Sequence, residues 1–223
     1  MDQNKKRTLD LHLEKVAKNL RTNGFEVEVF AKKEEILPRV KELIPPGAKV
    51  AHGGSVTLSE CGIVDLFKAG GYEYIDRDIP GITPEARTEA MRQALLSEYY
   101  LCSANALLEE GMIYNVDGNG NRTAATLYGP KKVIYVIGVN KIVEDFEAAV
   151  IRVKKLACPA NTMRLGLTTY CSEKGECASC AKADLAIEHG CGAKSICNEH
   201  ILIRKNNIPG RVLVLLVGEE LGY

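Results

Sequence analysis

Apolar positions in the first two thirds of the chain switch repeatedly between a helical and an extended period. Residues 8–22 place Leu9, Leu13, Val16, Ala17 and Leu20 on one helical face, and Gly24 follows in the position of a stop. "FEVEVFA" (25–31) alternates as a half-buried strand does, and a second helix is expected over about 33–44, with Pro38 as a kink or late start. "PPGAKVAHGG" supplies a turn and a short strand. Thr57 and Glu60 then have the spacing of a capping box, opening a helix with Leu58, Gly62, Leu66 and Phe67 on one face until Gly70-Gly71 stops it. "YEYID" (72–76) reads as a strand, and 84–97 as a helix burying Ala90, Met91, Ala94 and Leu95.

The stretch 99–122 reads as two strands, a tight turn at Glu110-Gly111, a third strand and a polar loop. "KKVIYVIGV" (131–139) is almost continuously apolar after its lysines, the pattern of a strand covered on both faces. Residues 143–157 form a helix with Val143, Phe146, Val150 and Val153 in register, and the pattern breaks after Pro159. "HILIRK" and "RVLVLLVGE", joined by "NNIPG", read as a closing strand pair. Strands alternating with helices imply an α/β architecture with a largely parallel sheet, to which the 110–117 hairpin adds an antiparallel element. One domain over 1–223 is expected, with an α/β core over 1–165, a cysteine-rich segment over 166–200 and closing strands over 201–223.

Charge narrows the partners. Lysine plus arginine equals aspartate plus glutamate at 29 each, which offers no electrostatic reason to expect nucleic acid or a charged membrane surface. No apolar run approaches a bilayer span, and the N-terminus lacks an h-region and cleavage site, so the expected compartment is the cytoplasm. Thiols there stay reduced, and clustered cysteines point to metal or redox chemistry. Five of the eight cysteines follow the spacing Cys171-x5-Cys177-x2-Cys180-x10-Cys191-x5-Cys197. A C-x2-C pair places two thiolates on one turn, able to hold structural zinc or a [4Fe–4S] cluster, and spacing alone does not separate the two. His189 or His200 could replace a cysteine in the set. Cys61, Cys102 and Cys158 read as packing residues.

Two loops carry candidate ligand chemistry. "GGSVTLSE" joins a strand to a helix, where unpaired backbone amides and the helix dipole favour an anion. Gly53 and Gly54 would allow close approach, and Ser55 and Thr57 would add hydroxyls; an N-cap without a ligand fits the same residues. The run is neither a Walker loop nor a GxGxxG fingerprint. "NVDGNGNRTAA" (115–125) gathers Asn115, Asp117, Asn119, Asn121 and Arg122, either as a hairpin tip or as one wall of a ligand crevice. Asp117 could act as acid or base, and Arg122 could hold a carboxylate or phosphate. Asn140 and Lys141 follow the next strand, with Lys141 as a second cationic contact and helix capping or solvation as the plain alternative. Glu109 and Glu110 could form a carboxylate pair, Glu110 being a second catalytic candidate. His52 beside the glycines would line the crevice or pack in its strand. No Ser–His–Asp set is evident.

Taken together, "GGSVTLSECG" (53–62), "NALLEEGMIYNVDGNGNRTAATLYGPKKVIYVIGVNKIV" (105–143), "RVKKLACPANTMR" (152–164) and "CSEKGECASC" with "ICNEHILI" (171–180, 196–203) resemble the lactate-utilisation (LUD) domain family. The resemblance implies a fold related to the sugar-phosphate isomerase and coenzyme A transferase group: a Rossmann-like, mostly parallel sheet flanked by helices, with a smaller appended element. It implies a role in oxidation of L-lactate to pyruvate or in related organic-acid metabolism, with a small anionic metabolite as ligand and iron–sulfur lactate-oxidation subunits as partners. The family pattern makes Cys171, Cys177, Cys180 and Cys197 the metal ligands and leaves Cys191 as the alternative. A metal- or cluster-bearing accessory subunit without its own catalysis is the competing expectation. Self-association as a homo-oligomer stays open.

Overall fold

A computed structural model describes residues 2–180, 186–187, 189–192 and 194–223, so the expected cysteine-rich segment falls partly outside the described residues. Helix α1 (Gln3–Thr22) starts earlier than its apolar face, because the Asp2 carboxylate accepts from the Asn4 and Lys5 amides and caps it. There follow β1 (Glu26–Phe30), α2 (Ile36–Leu43) behind a single 3-10 turn, β2 (Lys49–His52), α3 (Val56–Glu60), α4 (Ile63–Lys68), β3 (Glu73–Tyr74), α5 (Pro84–Ala94) and β4 (Tyr99–Cys102). Then come β5 (Ala106–Leu108), β6 (Met112–Asp117), α6 (Asn121–Leu127), β7 (Lys132–Gly138), β8 (Ile142–Val143), α7 (Phe146–Arg152), α8 (Cys158–Arg164), α9 (Tyr170–Lys174), β9 (Glu199–Ile203) and β10 (Val212–Val217).

Six strands form a wholly parallel sheet in the order β1-β10-β7-β4-β2-β3. Its central strands bury both faces. Val133, Tyr135 and Ile137 of β7 pack with Val16, Ala17 and Leu20 of α1 and Ala125 of α6, while Ile134 and Val136 pack with Ile36 and Val40 of α2 and Leu58 and Phe67 of α3 and α4. Each valine, leucine, isoleucine or phenylalanine among them, taken out of water, contributes about 1.5–3 kcal/mol. The uninterrupted apolar runs of β7 and β10 follow from this two-sided cover. A smaller mixed sheet, β8-β5-β6-β9, is backed by Ala149 and Val150 of α7. Among the described residues no helix is long and apolar enough to cross a membrane.

Several local expectations are corrected. The "YEYID" strand shrinks to Glu73–Tyr74, and the helix expected over 84–97 ends at Ala94. Ser55, not Thr57, caps α3: its hydroxyl accepts from the Leu58 amide, while Glu60 turns to the Gly222 amide. The helix expected to run on to Phe67 is broken at Gly62, whose φ of +71° separates α3 from α4. Val143 belongs to β8, and the helix starts after the Asp145 cap and continues to Arg164. It passes Pro159 by widening into a π turn over Val153–Ala157, immediately before the proline that cannot donate to a regular ladder. The closing strands do not pair with each other: β9 lies against β6 in the small sheet, and β10 lies between β1 and β7 in the large one.

Candidate functional site

A hollow of about 210 Å³ opens at the carboxyl edge of the large sheet. Its wall is assembled from chain segments that leave the strands: Gly54, Ser55 and Val56 after β2, Arg77 after β3, Ser103 and Asn105 after β4, Asp117, Asn121 and Arg122 after β6, Lys141 after β7 and Tyr223 after β10. Open parallel sheets place ligand crevices at this edge. Arg77, Arg87, Arg122, Lys141 and Arg164 reach the wall, and Asp117 is the one acidic side chain among its described residues. A chain of zero formal charge has therefore concentrated cations in one concave place.

Gly54 lies beneath two of the guanidinium groups. A Cβ on it would stand 2.7 Å from the nearer terminal nitrogen of Arg77 and 3.6 Å from that of Arg164. With the Asn121 amide oriented to satisfy its neighbours, its oxygen accepts from Arg77 Nη1 at 3.0 Å. Arg77 Nε is buried and makes no hydrogen bond among the described residues, but pairs with the Asp78 carboxylate at 3.6 Å. Arg164 is aimed by Tyr223, whose hydroxyl accepts from Nε at 2.8 Å, and by Asn161, whose Oδ1 accepts from Nη2 at 2.8 Å. Arg87 is held by Asp78 at 3.0 Å.

The residues expected from the sequence divide into wall and support. Ser55 and Arg122 share the hollow, with Gly54, Asp117, Asn121 and Lys141. Arg122 is also a structural tie: it donates to the Val116 carbonyl at 2.6 Å, to Asn105 Oδ1 at 2.8 Å and to the Ser103 carbonyl at 3.4 Å, and its stem covers Gly53. Asp117 Oδ2 accepts from the Arg122 and Thr123 amides, which ends the loop and starts α6. Asn115 lies behind the wall, accepting from the Asn105 amide and donating to the Tyr135 hydroxyl. Asn140 latches the C-terminal segment through Leu221 and Gly222. Glu110 sits exposed on the β5–β6 turn, at the opposite end of that strand pair from Asn105 and Asp117, while Glu109 engages His12 and Lys15 there. His52 packs in its strand between the Gly53 carbonyl and the Tyr74 hydroxyl.

Lys141 has the most altered environment in the wall. It is 3% exposed and donates to Thr57 Oγ1 at 2.9 Å and Ser103 Oγ at 3.0 Å. Burial, reinforced by the positive charges of Arg152 and Arg122, pulls its pKa down to about 7, with Glu60 opposing weakly. Thr57, expected to touch ligand or cap a helix, instead holds this amine and donates to the Leu221 carbonyl.

A second, smaller cavity of about 30 Å³ lies beyond Ile196, which borders both. Cys158, Cys171, Cys177, Cys191 and Cys197 all line it; Cys180 does not. Cys158, expected as packing, meets Cys197 with sulfurs 2.9 Å apart. That contact holds the Cys197 thiol below its ordinary range and, with burial, raises that of Cys158. Thiols around one cavity are the donor chemistry of a soft metal or an iron–sulfur cluster. No three His, Cys, Asp or Glu side chains among the described residues converge at the spacing a single bound ion needs.

The family model of the LUD domain matches residues 13–217. The chain belongs to the LUD domain family. This LUD domain also resembles in fold a solved DUF162 family protein from Deinococcus radiodurans, at 13% identity and a TM-score of 0.52, over 94% of this chain and 98% of that one. No curated protein matches it in sequence. Arg77, Arg87, Asn105, Asn161, Arg164 and Tyr223 of the LUD domain escaped the sequence reading. Arg77 directly follows "YEYID", and a cation at a strand's carboxyl end was the signal available. Arg164 lay in the stretch read as a break after Pro159.

Proposed function

We propose that the hollow binds a small anionic metabolite and that this LUD domain serves L-lactate oxidation to pyruvate or related organic-acid metabolism. Family membership ties the chain in general to lactate-utilisation-related function. The observation that carries the ligand reading is the convergence of Arg77 and Arg164 over Gly54, with Arg77 Nη2 turned toward the hollow's floor while its Nε lies 3.6 Å from Asp78. Two guanidinium groups brought together in one concave place repel each other, and an anion between them relieves that repulsion while accepting charge-assisted hydrogen bonds. Calorimetry with pyruvate, L-lactate, oxalate and inorganic phosphate tests it. Arg77→Ala is expected to weaken the best binder at least tenfold; equal affinity in both proteins refutes the reading. Arg122→Ala is a poorer probe, because it also unties Val116 and Asn105.

The shared cysteine cavity favours a second reading, in which Cys171, Cys177 and Cys197, joined by Cys158 or Cys191, hold zinc or a [4Fe–4S] cluster and the protein works beside iron–sulfur lactate-oxidation subunits. Anaerobic purification with metal analysis and a visible spectrum separates iron from zinc. Cys177→Ser should lower metal content, and unchanged content removes this assignment.

A further inference from the structure

We infer that Lys141 is a covalent capture site for 2-oxo acids, its amine condensing with the keto carbonyl of a ligand whose carboxylate lies among the arginines. The inference rests on the anion-binding reading and adds chemistry to it. Three observations carry it. Lys141 belongs to the wall of the same hollow as Arg77 and Arg164. Its nitrogen is fixed by two hydroxyl acceptors, Thr57 Oγ1 at 2.9 Å and Ser103 Oγ at 3.0 Å. A neutral amine has two N–H bonds and one lone pair; both N–H bonds are used by these hydroxyls, and the lone pair remains for a carbonyl carbon. The surroundings make a neutral fraction available near physiological pH: burial disfavours the charged form, Arg152 and Arg122 repel a proton, and Glu60 is the opposing carboxylate.

The step balances without an external redox partner. The lone pair of Nζ forms the N–C bond, the carbonyl π pair moves to oxygen, and one of the two Nζ protons passes to that oxygen to give a carbinolamine. The C–O bond then breaks, oxygen leaves as water with the remaining Nζ proton, and a neutral C=N bond remains. Ser103, a wall residue within hydrogen-bond distance of Nζ, is placed to relay protons. L-Lactate has no carbonyl and cannot condense, so capture discriminates the 2-oxo acid from the 2-hydroxy acid.

The test treats the purified chain with pyruvate and sodium borohydride, which reduces an imine to a stable secondary amine, followed by intact and peptide mass spectrometry. The expected result is one added reduced pyruvate per chain, located on Lys141. Replacing pyruvate by L-lactate, or Lys141 by Arg, should abolish it; denaturant melts of Lys141→Arg establish that the variant is folded. Calorimetry with pyruvate runs in parallel. No adduct on Lys141, or an adduct spread over other lysines and unchanged in Lys141→Arg, overturns the capture site. If calorimetry still shows pyruvate binding weakened by Arg77→Ala, capture alone has failed and the anion reading stands; if binding is absent too, both fall.

Discussion

Lys141→Met exposes the energetic cost of the buried amine. The ordinary lysine value is 10.5 and the folded value is about 7, so between these limits the unfolded chain carries a proton that the folded chain lacks. Stability then rises with pH by about 1.4 kcal/mol per unit, and by about 5 kcal/mol over the whole interval. Below pH 7 both states are protonated and the penalty of burying the charge is present in full; above pH 10.5 it is gone. Methionine never carries the charge. The variant should therefore be more stable than wild type at pH 6, by about 5 kcal/mol less the loss of the bond to Ser103, about 1–3 kcal/mol. Thr57 keeps the Leu221 carbonyl as partner. The intercept depends on repacking, but the slope does not. Urea denaturation of both proteins at half-unit steps from pH 6 to 9 measures it. The difference between them should shrink by about 2 kcal/mol from pH 7 to 9, the full slope being reached only above the folded pKa, because the cysteines and tyrosines shared by both cancel. Parallel stability curves would show that Lys141 is not held neutral, and the argument for its altered state would fail.

Two further substitutions separate the site from the scaffold. Gly54→Ala places a methyl 2.7 Å from the end of the Arg77 side chain, which can move, so the melting midpoint should change by less than about 1 kcal/mol in stability. Anion affinity, measured by calorimetry, should fall about 10- to 150-fold, the worth of one charge-assisted hydrogen bond; unaltered affinity would remove Arg77 from the ligand. Gly111→Ala does the reverse. Its φ is +79° and a Cβ would meet the Leu20 amide nitrogen at 2.5 Å, backbone that cannot step aside, so urea melts should show a loss of at least about 2 kcal/mol with ligand affinity kept.

Much of the scaffold was readable because local pattern and burial agree. The apolar run of β7 needs a strand covered twice, and α1 buries the four residues Leu13, Val16, Ala17 and Leu20 of its predicted stripe. Pairing partners were not readable. "HILIRK" and "RVLVLLVGE" adjoin in sequence, yet β9 and β10 enter different sheets, since backbone hydrogen bonding is set by which distant edge each strand reaches.

The site divides along the same line. The chain's local pattern located the turns within 53–57 and 115–125, which the structure narrows to 53–55 and 118–120, and the position of Lys141 after an apolar strand, because glycines, amides and a cation punctuating alternating elements have a local physical meaning. Tertiary structure alone decided that Arg77 and Arg164 meet over Gly54, that Thr57 serves an amine rather than a helix end, and that Asn115 and Asn140 brace the wall instead of forming it. A cavity assembled from segments that leave many different strands has no period and no spacing in the chain; its charge and its dryness arise only when folding brings those segments to one edge.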